Sequence, residues 1–82
     1  MSRVSARFFA IKTGWDTRSV YNIWKEMGLV IKDKFGDWAL TPLGHNIGGR
    51  MSKSSYTPVP TFDFDIIEKM TIDFYNKFKK KF

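Results

Sequence analysis

The chain has 82 residues, with 14 Lys+Arg against 8 Asp+Glu, giving a formal charge of +6 with His neutral. A chain this short buries roughly 60–65% of its unfolded surface. That leaves little room for both a core and an enclosed catalytic cavity, and it argues against a large metabolic enzyme. With no Cys, disulfide frameworks, thiolate zinc sites and thiol nucleophiles are excluded, and the single His45 leaves almost no material for a His-based metal site or triad. The expectation is a non-enzyme without metal or cofactor. Aromatic residues make up 17% of the chain and supply the apolar area a small core needs. No apolar run approaches the roughly 18 residues of a membrane span, and no signal-peptide pattern opens the chain, so a soluble cytoplasmic protein is expected. The positive charge suggests a polyanionic partner.

In chain order, Ser5 is placed to cap a short helix over 6–12, in which Ala6, Phe9 and Ala10 share a face. Thr13-Gly14 breaks it, and Asp16 caps a second helix from Thr17 to about Met27. There Val20, Ile23, Trp24 and Met27 form an apolar stripe. Gly28 ends that helix. The segment LVIKDKFGDWALT predicts a hairpin turning at Gly36, with Leu29, Ile31, Trp38 and Leu40 inward. Thr41-Pro42 starts a short helix over 43–47 that stops at Gly48-Gly49. Residues 50–60 predict an irregular, extended connector pinned by Tyr56, Val59 and Phe62. Thr61 or Asp63 caps the longest helix, in which Ile66, Ile67, Met70, Phe74 and Phe78 recur on one stripe and Lys77 to Lys81 complement the dipole.

The first two helices have a small residue, Ala10, at their crossing and Gly14 at the turn. The apolar residues Val20 and Ile23 then follow six and nine positions after Gly14. These positions resemble the helix-turn-helix pattern, where small residues allow close approach and β-branched ones lock the helices together. The run GLVIKDKFGDWALTPLG is similar to a wing, with Leu40-Thr41 ending its second strand and Gly44 in the next helix. Over residues 4–49 the chain resembles winged helix-turn-helix DNA-binding proteins of the bacterial and bacteriophage regulator type. That resemblance implies a mainly α fold with a small β-hairpin: a winged helix-turn-helix plus a long C-terminal helix. Residues 1–49 would form the core, 50–62 the extended connector, and 63–82 an amphipathic helix belonging to the same domain or serving dimerisation. Such families usually carry a helix before the first one seen here. The last helix is expected to cover that side, within the chain or across a dimer.

With the second helix's stripe inward, Arg18, Asn22 and Lys25 face out, flanked by Thr17, Ser19 and Tyr21. Arg pairs with guanine, Asn with adenine, and Lys with guanine or phosphate, so this face has the chemistry of direct readout. Lys32 and Lys34, with Phe35, fall at the wing tip; Arg3, Arg7 and Lys12 lie beside the first helix; Arg50 and Lys53 extend the rim. The basic residues among these are the expected wing and backbone contacts, those of the wing meeting phosphate or entering a minor groove. Trp24 and Trp38 are expected to be structural, and Trp15 either staples the helices or makes contact. The expected function is a sequence-specific double-stranded-DNA-binding protein, a small phage or bacterial transcription or replication regulator that dimerises through its C-terminal helix. The alternative is a phage-type inhibitor or adaptor that docks a host nucleic-acid enzyme. RNA binding has no supporting aromatic sheet signature or GXXG loop.

Overall fold

The computed structural model describes residues 2–53 and 57–78. Along them run β1 (Arg3–Val4), α1 (Ala6–Thr13), α2 (Thr17–Glu26), β2 (Val30–Lys32), β3 (Trp38–Leu40), α3 (Pro42–Asn46), β4 (Arg50–Met51), β5 (Pro60–Asp63) and α4 (Phe64–Phe78). Helix accounts for 51% and strand for about 19%. The strands form two antiparallel sheets, the β2-β3 hairpin and a three-stranded sheet ordered β1-β5-β4. The fold is therefore mixed α/β. This corrects the expected mainly α winged helix-turn-helix with one hairpin, because the second sheet draws on two segments that looked irregular. The sequence before Ser5 supplies β1, and the supposed connector 50–62 supplies β4 and most of β5.

Strands β1 and β4, two residues each, are too short to show a period of their own, and β1 exists through a distant pairing with β5. Arg3 lies opposite Asp63 and Val4 opposite Phe62; Arg50 lies opposite Thr61 and Met51 opposite Pro60. Pro60 opens its strand, where a missing N–H is tolerated. The Arg3 guanidinium then stitches the sheet. Its Nη2 donates to the carbonyls of Gly48 and Thr61, each at 2.8 Å, and its Nε donates to Thr61 Oγ1 at 3.3 Å. The Thr61 hydroxyl in turn donates to the Arg50 carbonyl at 2.9 Å, linking β5 to β4.

Local signals set the helices. Ser5 Oγ accepts from Phe8 N, Asp16 from Ser19 N, Thr41 Oγ1 from Gly44 N and Asp63 from Ile66 N, so each helix begins on a side-chain cap. Gly14, at φ +79°, closes α1 in the left-handed conformation while its N–H donates to Ala10 O. At the end of α2, Gly28 N donates to Lys25 O and Leu29 N to Trp24 O, which buries Leu29 at the mouth of the hairpin. Val30 is consequently the inward strand residue, and Ile31, expected inside, is 53% exposed. A one-residue shift in register exchanges the two faces of a strand.

The core gathers Phe9, Ala10, Val20, Ile23, Trp24, Leu29, Val30, Phe62 and Ile67. Trp24 stands at its centre, edge-on to Phe9 and Phe62. Helix α4 covers this core from within the same chain. Ile67 and Thr71 are fully buried, and Trp24 Nε1 donates to Thr71 Oγ1 at 3.0 Å. Ile66 and Phe78, expected on the inward stripe, are 48% and 39% exposed. Trp15 is half-buried against Phe9 and Tyr75, stapling the α1–α2 turn to α4. Tyr56 and residues 79–82, which the sequence reading placed in the connector and at the basic helix end, lie outside the described residues.

Candidate nucleic-acid interface

Because Val20, Ile23 and Trp24 are buried, α2 turns Arg18, Ser19, Asn22 and Lys25 to solvent. Thr17, Arg18, Tyr21, Asn22 and Lys25 form one wall of an open depression of about 520 Å³, and Lys32 and Trp38 of the hairpin form the other. The two walls are held together by an aromatic stack. The rings of Tyr21 and Trp38 lie 4.6 Å apart and parallel to within 2°, and Lys32 Nζ sits 5.3 Å from the Trp38 ring. Burial in this stack holds the Tyr21 phenol above its ordinary pKa.

A second depression, of about 500 Å³, adjoins the first across Thr17 and Tyr21. Arg3, Ser5, Arg7 and Phe8 line it on one side, and Ser52, Val59 and Thr61 line it on the other. Together the two make a strip running from the β2-β3 hairpin across α2 to the segment around β4 and β5. Its lining holds Arg3, Arg7, Arg18, Lys25 and Lys32 and no carboxylate. Cations gathered in a concavity without counter-charges repel one another, and a low-dielectric wall focuses their field outward. Ser5 and Thr17 add neutral hydroxyls to the lining, while the Thr61 hydroxyl is committed to Arg50 and Arg3. This arrangement suits an extended anionic ligand better than an enclosed reaction.

Of the residues singled out from sequence, Thr17, Arg18, Tyr21, Asn22, Lys25, Lys32, Arg3 and Arg7 therefore meet on one strip. Arg3 does so with Nε and Nη2 donating to Gly48 and Thr61, so it acts as a wall of the strip and a tie of the sheet. Ser19 lies on another flank of α2, in a depression shared with Trp15, Asp16 and Tyr75. The Lys12 ammonium is 5.0 Å from the Phe64 ring, toward the start of α4. Lys34 belongs to the hairpin turn, beside Phe35. Arg50 and Lys53 are exposed on and just after β4, outside the lining. Trp38, Ser5, Phe8, Ser52, Val59 and Thr61 were not anticipated as lining. Only Trp38 left a usable trace, since the antiparallel register sets it opposite Lys32.

Comparison with protein-family models, curated proteins and solved structures gives no match. Among the described residues no helix is long and apolar enough to cross a membrane.

Proposed function

We propose that this protein binds double-stranded DNA through the strip centred on α2 and acts as a small, sequence-specific regulator of transcription or replication. The observation that carries the reading is the strip itself: five cationic side chains, no carboxylate, and Asn22 in their midst. Arg18, Asn22 and Lys25 supply the base-reading chemistry, and Arg7 and Lys32 lie to either side for the sugar-phosphate backbone.

Fluorescence anisotropy against random duplex, single-stranded DNA and RNA at two salt concentrations tests this. Duplex affinity should fall steeply with salt, and Arg18→Ala or Asn22→Ala should relax the sequence preference of a selected site by about 1–3 kcal/mol. Equal affinity for all three polymers, or indifference to both substitutions, would refute it.

A second reading has its own observation. Met27, Leu29, Leu43, Met70, Phe74 and Phe78, together with Asp73 and Lys77, line a largely apolar groove between α4 and the α2–α3 side. Leu43 and Phe78 are 48% and 39% exposed there. In our reading this groove joins two copies of the chain, doubling the DNA site. A host protein occupying the groove is the alternative, which sizing of the free protein separates from a dimer.

A further inference from the structure

We infer that Phe35 is a wedge that enters the base stack of a duplex and kinks it, an inference that rests on the duplex-binding reading above. The residue stands at the tip of the β2-β3 hairpin and is 77% exposed, more than any other large apolar side chain among the described residues. The other key turn positions have conformational reasons. Asp33 opens the turn, and its Oδ1 accepts from Phe35 N at 2.8 Å and Asp37 N at 3.0 Å; Gly36 closes it at φ +82°. Phe35 has no such reason to be there, and leaving an aromatic ring in water forgoes roughly 1.5–3 kcal/mol of burial.

The ring is also held ready. Asp33 N donates to Asp37 O at 2.8 Å and Gly36 N to Asp33 O at 3.0 Å, which close the turn beneath it. The hairpin is docked on α2 through the Tyr21–Trp38 stack. A side chain presented from so constrained a turn loses little freedom on insertion.

Charge identifies the target. Beyond Lys32 the turn itself holds one Lys, Lys34, against Asp33 and Asp37, so residues 33–37 offer phosphates no net attraction. What the tip offers is the ring, with Lys34 Nζ 5.3 Å from its centre. Lys32, at the base of the turn, already lines the cationic strip, so a duplex filling the strip runs toward the tip. Apolar wedges of this kind open a base step from the minor groove and kink DNA by about 20–90°.

The test uses a short duplex selected for binding from a randomised pool, with donor and acceptor dyes at its ends and 2-aminopurine replacing successive adenines. Wild-type protein should shorten the end-to-end distance and brighten 2-aminopurine at one step. Phe35→Ala should abolish both signals, keep its circular dichroism, bind within about tenfold of wild type and retain the salt slope, since no phosphate contact is removed. Phe35→Trp should keep the kink. A straight duplex under bound wild-type protein, or an undiminished kink with Phe35→Ala, overturns the wedge while leaving duplex binding intact. Absence of duplex binding at low salt refutes the underlying reading and the wedge with it.

Discussion

Thr71 is a polar residue with no exposed surface, and its hydroxyl is the acceptor for the indole N–H of Trp24. A buried donor left without a partner costs about 1–3 kcal/mol. Thr71→Val should therefore destabilise by about that amount in chemical denaturation, and Thr71→Ser, which restores the oxygen, should lose much less of it. The sequence concealed this residue, because a threonine amid an apolar stripe gives no sign that a tryptophan 47 residues earlier requires it. Tyr21 makes a prediction in pH. Burial raises its folded pKa above the unfolded value of about 10. Its stabilising contribution is thus complete below that pH and is lost as pH rises toward the folded value, because the unfolded phenol ionises first. Thermal melts across alkaline pH should show this decline for wild type, and Tyr21→Phe should remove that part of it.

At the scale of elements, α3 sits so close to the start of β2 that a Cβ on Gly44 would meet the Leu29 carbonyl oxygen at 2.3 Å and Leu40 Cδ2 at 2.9 Å. The carbonyl is backbone and has little freedom to yield. Gly44→Ala should cost at least about 1–3 kcal/mol, the range of an overpacked core. Gly14→Ala meets no atom within 4 Å and should cost only the roughly 1–2 kcal/mol of a left-handed non-glycine residue. Urea midpoints of the two variants give the comparison. The four helices were legible because their caps and stripes are local: Ser5, Asp16, Thr41 and Asp63 each announce a start. Strands β1, β4 and β5 were not: Arg3 and Thr61 become neighbours only after the chain has closed over 58 residues, and β4 is only two residues long. The groove-facing residues of α2 followed from helical rotation. The far wall of the strip, with Ser52 and Val59, depended on that same unseen sheet.

For the whole molecule, the distribution of charge makes the prediction. Residues 1–60 carry 9 Lys+Arg and 4 Asp+Glu, net +5, against 5 and 4, net +1, in residues 61–82. Within that basic part, position on the strip should separate one cation from another. Arg7→Ala and Lys32→Ala should each reduce the slope of log affinity against log salt by about 1. Lys12→Ala, whose ammonium lies over Phe64, should leave the slope nearly unchanged. Equal losses at all three positions would mean that affinity follows net charge rather than the shape of the strip.

The pairing of β1 with β5 also bears on the order of folding. The α1–α2 turn and the β2-β3 hairpin bring together residues near in sequence, and such contacts form quickly. The strand pair from Arg3–Asp63 to Val4–Phe62 is the converse, a clasp that must wait for almost the whole chain to be gathered. A protein assembled this way acquires its helical half early and completes its second sheet, by adding β1 to β5, late. The late clasp also carries one wall of the cationic strip, through Arg3 and Thr61. Competence to bind an extended anionic ligand should therefore appear only at the last step of folding, after the helical signal has already reached its native value.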